Sequence, residues 1–317
     1  MSSAVRIFNY IKDLPQEKAY VKSKEENQEN FIQNFAGKGD VLFKNISLKY
    51  RENTDPVIKN VTFLINSGEK VGCVGRTGAG KSSLIQALFR IHEIEDFDDS
   101  QKTGIFMGGK RIQDYGLKIV RNSMSIIPQT PFVFSGTIRN NLDPLNQYTD
   151  DQIIEVLKDI ELFELVSNLP QGIQTDMTNV GSLFSTGQKQ LICLGRCILK
   201  KSKILVLDEA TANVDMKTDE FIQKKIKEKF SDCTVFTIAH RLNTIADYDK
   251  ILVMEKGEVA EYDTPYNLLV QNVGDNKITK HQSIFAQMVK KTGHANSNQI
   301  FQIAYENYLK KQHDSVQ

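Results

Sequence analysis

The chain has 317 residues, a formal net charge of +1 and a hydrophobic fraction of 40%. This composition excludes a wholly disordered protein, and the balanced charge argues against binding to nucleic acid or a membrane surface by bulk charge. Four cysteines in so long a chain do not form a disulfide framework, and the apolar runs fall short of the roughly 20 residues that cross a bilayer.

The chain begins and ends with polar stretches. Residues 1–39 are uneven in composition: the first part predicts a short amphipathic helix that ends before Pro15, and residues 22–30 predict a solvated linker. Residues 40–293 carry the patterns of a folded domain. A polar tail, residues 294–317, follows and contains one stretch with a helical pattern.

Short β-type runs alternate with helical patterns inside the folded region. Residues 41–50 alternate apolar and polar side chains, which predicts a half-exposed strand, and residues 71–74 predict a buried one. Residues 204–207 and 235–238 predict central parallel strands with helical stretches on both sides. This order predicts an α/β fold, a mostly parallel sheet flanked by helices and led by an antiparallel β region.

A phosphate-binding motif follows the first buried strand. Residues 75–82 read Gly-Arg-Thr-Gly-Ala-Gly-Lys-Ser, which fits G-x-x-x-x-G-K-[ST] between a strand and an apolar-periodic helix. Gly78 and Gly80 let backbone N–H groups turn inward, where they and the helix N-terminus bind phosphate oxygens. Lys81 supplies a charge for the β- and γ-phosphates, and Ser82 a hydroxyl for Mg²⁺. A Gly-rich turn without a ligand is the alternative, which the complete motif disfavours.

A second motif ends the strand predicted at 204–207. Asp208 lies at the carboxyl end, where open parallel sheets bind ligands, so it can bind Mg²⁺ directly or through water. Glu209 points elsewhere and can polarise a water molecule for attack on the γ-phosphate. Alone, a strand that ends in Asp-Glu often just enters a turn. Its pairing with the phosphate loop favours the catalytic interpretation.

Residues 183–190, Leu-Phe-Ser-Thr-Gly-Gln-Lys-Gln, resemble the signature motif of the ATP-binding cassette (ABC) ATPases, usually Leu-Ser-Gly-Gly-Gln. Other stretches resemble the C subfamily, the multidrug-resistance-associated exporters, and more narrowly their second nucleotide-binding domain: 74–84, 125–144, 190–215 and 233–245. The likeness covers about residues 41–293. Residues 4–17 also look like the family's linker between the last membrane helix and this domain, so residues 1–39 are expected to be that linker.

The resemblance implies a P-loop NTPase core with an antiparallel β subdomain and a helical signature subdomain. It implies that Tyr50 stacks on adenine, that Gln129 reaches Mg²⁺ and the attacking water, and that His240 contacts the γ-phosphate. Each has a plainer alternative, namely a core tyrosine, a polar loop glutamine and a structural histidine at a strand end. Asp215 matches the loop that crosses to the other cassette.

The resemblance therefore implies three sets of site residues. The ATP-binding residues are Tyr50, Gly75, Arg76, Thr77, Gly78, Ala79, Gly80, Lys81, Ser82 and Ser83. The catalytic residues are Glu209, His240 and Gln129, and the metal ligands are Ser82, Gln129 and Asp208. The residues that would bind the ATP of a second cassette are Ser185, Thr186, Gly187 and Gln188, with Asp215 at the dimer contact.

Several residues depart from the family pattern. Thr186 replaces a glycine of the signature, and Leu183 replaces a polar residue before it. Gly195 and Cys197 replace alanines, and glycine inside a helix costs about 0.5–1 kcal/mol relative to alanine. Cys193 and Cys197 lie four residues apart on one helix face. Because no further ligand is evident nearby, buried thiols fit this pair better than a metal site.

The function implied is ATP hydrolysis with Mg²⁺, coupled to export across a membrane. The expected partners are ATP, a second cassette in a head-to-tail pair and transmembrane domains, at the cytoplasmic face, with no nucleic acid. The alternatives are a nucleotide sensor with little turnover and a soluble ABC ATPase of translation or DNA maintenance. Glu209 and His240 disfavour the sensor. A single cassette without sustained heptads between residues 82 and 185 disfavours the soluble ATPase.

Overall fold

The computed structural model describes the chain apart from residues 1–2, 15, 28–30, 32–33, 96–102, 181–183, 211–213, 273, 275–276, 281 and 315–317. The strands are β1 (Val41–Leu48), β2 (Ile58–Ile65), β3 (Lys70–Gly75), β4 (Gly104–Met107), β5 (Lys110–Arg111), β6 (Met124–Ile127), β7 (Ile204–Asp208), β8 (Thr234–Ile238), β9 (Lys250–Glu255) and β10 (Glu258–Asp263). The helices are α1 (Ser3–Asp13), α2 (Lys81–Leu88), α3 (Leu117–Asn122), α4 (Ile138–Leu142), α5 (Asp150–Asp159), α6 (Phe163–Ser167), α7 (Met177–Val180), α8 (Thr186–Lys200), α9 (Met216–Lys229), α10 (Pro265–Leu269), α11 (Ile284–Lys291) and α12 (His294–Asp314).

The smaller sheet is antiparallel, with the strand order β2-β1-β4-β5. Along β1, Val41 and Phe43 are buried and Leu42 and Lys44 are half-buried, which confirms the predicted half-exposed strand. Phe43 lies opposite Phe63 of β2, and their rings stack with centroids 4.4 Å apart. This aromatic pair lies in the same core as the apolar residues of the larger sheet.

The larger sheet has the order β10-β9-β3-β8-β7-β6. Strands β9, β3, β8, β7 and β6 run parallel, and β10 joins the edge antiparallel to β9. The central strands β7 and β8 are buried nearly throughout, as their apolar runs predict. Because parallel strands end at one edge, the residues after β3, β7 and β8 come together there. The predicted α/β fold with an antiparallel β region is confirmed.

Helices α4 to α8 contribute to a second core, which also includes apolar residues from β6 and β7. Here Gly195 of α8 lies against α4, because a Cβ at this position would be 2.9 Å from Leu142 Cδ2 and 3.1 Å from Ile160 Cδ1. The glycine therefore allows close helix packing, which offsets its low helix propensity. Cys193 and Cys197 are buried on the same helix, and burial raises the pKa of Cys197 to about 12. The expected burial of both thiols is confirmed.

The N-terminal region contains α1, which confirms the helix predicted before Pro15. Residues 17–27 then run along α3, where the Leu117 N–H donates to the Ala19 carbonyl at 3.1 Å. The prediction of a solvated segment at 22–30 is wrong at Glu26, which is buried and accepts the Gly116 N–H at 3.1 Å. The Gly116 N–H at the start of α3 has no acceptor within the helix, and the carboxylate of Glu26, which is distant in sequence, accepts it instead.

The C-terminal polar residues form a 21-residue helix, α12. Its residues Ile300, Phe301 and Ala304 are buried in a third core with α10 and α11. Tyr308 stacks on the buried Tyr266 with centroids 4.5 Å apart. Within the described parts of the chain, no helix is both long and apolar enough to span a bilayer.

Candidate active site

The phosphate loop joins β3 to α2 at the edge of the parallel sheet. Gly75, Gly78 and Gly80 have φ angles of 153°, 81° and 99°, which side chains disfavour. A Cβ at Gly75 would lie 2.3 Å from the Met254 carbonyl oxygen, so only glycine fits between the loop and β9. A Cβ at Gly78 would meet nothing within 4 Å. The loop is therefore open at Gly78, next to the N-terminus of α2, where anions are favoured.

Lys81 supplies the positive charge of this loop. Its side chain is buried, and its ammonium donates to the carbonyl oxygens of Gly75 at 2.9 Å and Arg76 at 3.3 Å. The two serines that follow face different surroundings, because Ser82 is exposed whereas Ser83 is buried. Ser82 is thus accessible to a ligand or ion at the loop.

Tyr50 lies just after β1 and contacts α2. Its hydroxyl is 2.8 Å from Ser83 Oγ and donates to Gln86 Oε1 at 2.8 Å. The His92 ring lies edge-on to the tyrosine ring, with centroids 4.8 Å apart. Tyr50 remains 42% exposed, so part of its ring is uncovered beside the helix that follows the phosphate loop. Ser83, which is among the predicted ATP-binding residues, thus contacts the Tyr50 hydroxyl.

Strand β7 ends at Asp208, and the chain then turns sharply. Glu209 has a left-handed φ of 49°, and its N–H donates to the Ile238 carbonyl of β8 at 3.1 Å. Burial, followed by repulsion from Glu209, raises the pKa of the Asp208 carboxyl above its ordinary value. The positive charges of Lys81 and a protonated His240 act in the opposite direction. A carboxylate in such surroundings favours a nearby cation.

The three predicted catalytic side chains meet at the carboxylate of Glu209. Gln129 Nε2 donates to Glu209 Oε2 at 2.5 Å, and His240 Nε2 contacts Glu209 Oε1. The Glu209 side chain is 11% exposed and that of His240 54%. The structure therefore brings residues that follow β6, β7 and β8 into one group, called the Glu209 cluster below.

Oxygen atoms that suit Mg²⁺ come from residues near this cluster. Asp208 offers a carboxylate and Ser82 an exposed hydroxyl, and Gln129 offers its amide oxygen because its nitrogen is engaged by Glu209. These are the hard oxygen ligands that Mg²⁺ prefers. The raised pKa of Asp208 fits the ion as well, because a bound cation would offset the desolvation of its carboxylate.

The predicted signature residues form the start of α8. The Ser185 hydroxyl accepts the Gln188 N–H at 3.1 Å, and the Ser185 N–H donates to Gln188 Oε1 at 2.9 Å. This capping box uses the Gln188 side chain locally, while the Ser185 hydroxyl keeps its hydrogen for another acceptor. Ser185 and Thr186 are exposed, and Gly187 is buried. Within the described residues, no hydrogen bond joins them to the Glu209 cluster, and Leu183 lies outside the described residues.

Asp215 caps the N-terminus of α9. Its carboxylate accepts the Thr218 N–H at 3.0 Å and the Thr218 hydroxyl at 2.8 Å, and these bonds lower the pKa of Asp215. The Thr218 methyl group lies 3.0 Å from where a Cβ at Gly187 would be. The starts of α8 and α9 are therefore in contact. A dimer contact by Asp215 stays a prediction.

Two buried polar residues that had no predicted role lie beside the cluster. Gln190 of α8 is fully buried, and its amide donates at 2.8 Å to the carbonyl of Pro128, the residue before Gln129. Asp219 of α9 is buried and accepts a hydrogen bond from Arg241, which follows His240. The available sequence signal is a polar residue among apolar neighbours, as Gln190 is among the buried residues of α8.

The chain is similar to known proteins. A family model described as ABC transporter matches residues 58–212. Human ATP-binding cassette sub-family C member 4 is 47% identical over 278 residues, which cover 88% of this chain and 20% of that protein. A probable multidrug resistance-associated protein of Drosophila melanogaster is 44% identical over 272 residues, 85% of this chain and 19% of that protein.

A solved structure is similar as well. The structure of a bacterial Atm1-family ABC exporter with ATP bound aligns with a TM-score of 0.69 and 28% sequence identity, covering 80% of this chain and 42% of that one. The chain spans about a fifth of the length of the curated relatives it matches.

Proposed function

Since this chain contains an ABC transporter ATP-binding domain homologous to the C-subfamily exporters, we propose that it hydrolyses Mg-ATP to drive export of a substrate across a membrane. The observation that carries the proposal is the Glu209 cluster, in which an amide and an imidazole both contact one carboxylate. It lies at the strand edge that also holds the Lys81 loop. A phosphate site and a water-activating carboxylate are the two parts that hydrolysis of a nucleoside triphosphate needs.

ATP binds through the phosphate loop and Tyr50. The loop N–H groups and the Lys81 ammonium bind the phosphates, and the uncovered face of the Tyr50 ring stacks on adenine. Mg²⁺ supplies charge neutralisation on the β- and γ-phosphate oxygens when it is bound, and Ser82, Asp208 and Gln129 are the residues that would hold it.

Glu209 acts as general base in the chemical step. A water molecule attacks the γ-phosphorus, its proton moves to the Glu209 carboxylate, and the bond from the γ-phosphorus to the bridging oxygen of ADP breaks. Gln129 and His240 hold the carboxylate from its two oxygens, and the exposed imidazole contacts the γ-phosphate. Fixing these groups before the reaction lowers the barrier, since no reorganisation is needed during the step.

The complete site needs a second cassette. Ser185, Thr186, Gly187 and Gln188 begin α8, apart from the cluster that their own chain forms, and the Ser185 hydroxyl can donate to a phosphate. In a head-to-tail pair these residues bind the γ-phosphate held by the partner cassette, and Asp215 lies at the contact. This chain is proposed to be the second nucleotide-binding domain, which keeps its catalytic glutamate.

Transmembrane domains are the other partner, which places the cassette on the cytoplasmic face of a membrane. A groove of about 350 Å³ next to Gln129 in sequence is lined by Phe132, Phe134 and Met177, and Phe132 is 64% exposed. A segment of the transmembrane domains with both apolar and polar side chains fits this groove, whose lining also includes Ser135, Thr178 and Lys189. Residues 1–39 form the linker from the membrane, residues 40–293 the nucleotide-binding domain and residues 294–317 the C-terminal tail.

Complementation between two inactive variants tests the paired site. Ser185→Asp keeps an N-cap for α8 but places a negative charge against the partner's γ-phosphate, and Lys81→Ala disables the phosphate loop. Each variant alone should hydrolyse little ATP, while their mixture should regain activity because mixed pairs contain one intact site. A mixture as inactive as its components would contradict the paired site and favour a monomeric nucleotide sensor with little turnover.

A further inference from the structure

An ion pair between the buried Asp219 and the exposed Arg241 links α9 to the segment that follows β8. Arg241 Nη1 donates to Asp219 Oδ2 at 2.5 Å. Asp219 is only 6% exposed, and within the described residues its second oxygen, Oδ1, has no hydrogen-bond partner. The Arg241 side chain is 45% exposed, so its guanidinium lies at the protein surface.

Such a pair is a poor means of stabilising the fold. Desolvation of a buried carboxylate offsets much of its attraction to a cation, and an unpartnered buried oxygen adds a further cost. A well-packed apolar residue on α9 would join the helix to the sheet at lower cost. The position of this pair next to His240 offers a better reason for it.

Arg241 is the residue that follows His240, and the two sides of this histidine are anchored differently. On the N-terminal side, the Ala239 N–H donates to the Cys73 carbonyl of β3 at 3.1 Å. On the C-terminal side, the Arg241 carbonyl accepts the Thr244 hydroxyl at 2.7 Å, and its guanidinium is held by Asp219. The residue before His240 is therefore held by the sheet, and the residue after it is held by α9.

We propose that Asp219 is a positioning residue for hydrolysis: by holding Arg241, it sets the His240 imidazole against Glu209. The inference deepens the proposed function and rests on it. Asp219 also belongs to the turn that begins at Asp215, since its N–H donates to the Asp215 carbonyl at 2.9 Å. The position of the imidazole is thus tied to the start of α9.

Asp219→Asn is the decisive variant, because it keeps the volume of the side chain and removes its charge. Glu220→Gln is the matched control on the exposed face of the same helix. We expect Asp219→Asn to lower kcat about tenfold or more with little change in KM, since small displacements of a reacting group slow the chemical step. Glu220→Gln should match the wild type. An unchanged kcat for Asp219→Asn would overturn the proposal.

A double mutant separates positioning from a general structural effect. If Asp219 acts through His240, Asp219→Asn should have no further effect on kcat in a His240→Ala background. A purely structural role would instead lower kcat by the same factor in both backgrounds, and that result would overturn the proposal.

A spectroscopic measurement decides the matter without hydrolysis. The chain has five histidines, and His240→Gln identifies the imidazole resonances of His240 by NMR. Asp219→Asn should shift those resonances and leave the other four histidines unchanged. Unmoved His240 signals would overturn the inference even if the protein is a slow ATPase. An inactive wild type with shifted His240 signals would instead contradict the proposed function alone.

Discussion

Replacement of Glu209 by Gln removes a carboxylate while it keeps the shape of the side chain. One carboxylate oxygen accepts from the Gln129 amide and the other contacts His240. A glutamine can keep the first contact through its own oxygen and donate its NH₂ group to a neutral imidazole. The cluster should therefore stay assembled. The amide cannot accept a proton from water, so only the general base is lost.

The expected loss of turnover is that of a general base, about 10²–10⁴-fold. Nucleotide binding should respond in the opposite direction. Repulsion from Glu209 is the second cause, after burial, of the raised pKa of Asp208. Neutralising Glu209 leaves the ionised form of Asp208 less disfavoured and so a better magnesium ligand. We therefore expect Mg-ATP to bind the variant at least as tightly as the wild type.

Phosphate release at saturating ATP measures the first effect, and equilibrium titration with Mg-ATP measures the second. Glu220→Gln makes the same chemical change on an exposed face of α9 and serves as the control. Near-normal turnover by Glu209→Gln would remove this residue from the mechanism. Loss of nucleotide binding in parallel with turnover would show that Glu209 is needed to assemble the site and would refute the reasoning.

Substitutions at three further positions have expected outcomes. Asp208→Asn should abolish Mg²⁺-dependent hydrolysis. It should also raise the melting temperature of the nucleotide-free protein at neutral pH, because the raised pKa of Asp208 means that the folded state disfavours its charged carboxylate. This gain should shrink as the pH falls toward the folded-state pKa of Asp208, where the carboxylate becomes protonated. Gly195→Ala should lower the melting temperature, since overpacking against Leu142 at 2.9 Å costs about 1–3 kcal/mol, more than the helix-propensity gain of about 0.5–1 kcal/mol. Tyr50→Ala should weaken ATP binding by about 1–3 kcal/mol through lost stacking, and Tyr50→Phe should bind ATP nearly normally although it lacks the hydroxyl contact with Ser83; equal weakening in a titration of both variants would contradict stacking.

The sequence was sufficient to predict the elements whose signals are local. The phosphate loop lies between β3 and α2, and Asp208 ends β7, because strand runs and a glycine motif depend on neighbouring residues. The family resemblance singled out Gln129, Glu209 and His240 one by one, and the structure shows that they meet because each follows a strand that ends at one edge of a parallel sheet.

Contacts between distant polar side chains could not be predicted. Glu26 lies in a charged stretch that is typical of a solvated linker, yet it accepts a hydrogen bond from Gly116, 90 residues away. The pairing of Asp219 with Arg241 likewise depends on how α9 packs beside β8. Such contacts have no periodicity, so only the folded chain reveals them.

Helix packing explains two other differences. The tail is polar in composition, but Ile300 and Ala304 are spaced one turn apart and become buried in α12. The low helix propensity of glycine predicts that Gly195 destabilises α8. The structure shows that Gly195 allows Leu142 to approach the helix closely, and helix-propensity scales do not include such packing.

Equilibrium titration of the purified chain with ATP, with and without Mg²⁺, tests the central claim most directly. The Gly75 to Ser82 loop and the buried ammonium of Lys81 predict saturable binding that Mg²⁺ strengthens and that Lys81→Ala weakens. Binding that is indifferent to Mg²⁺ and to Lys81→Ala, or no binding at all, would contradict the account.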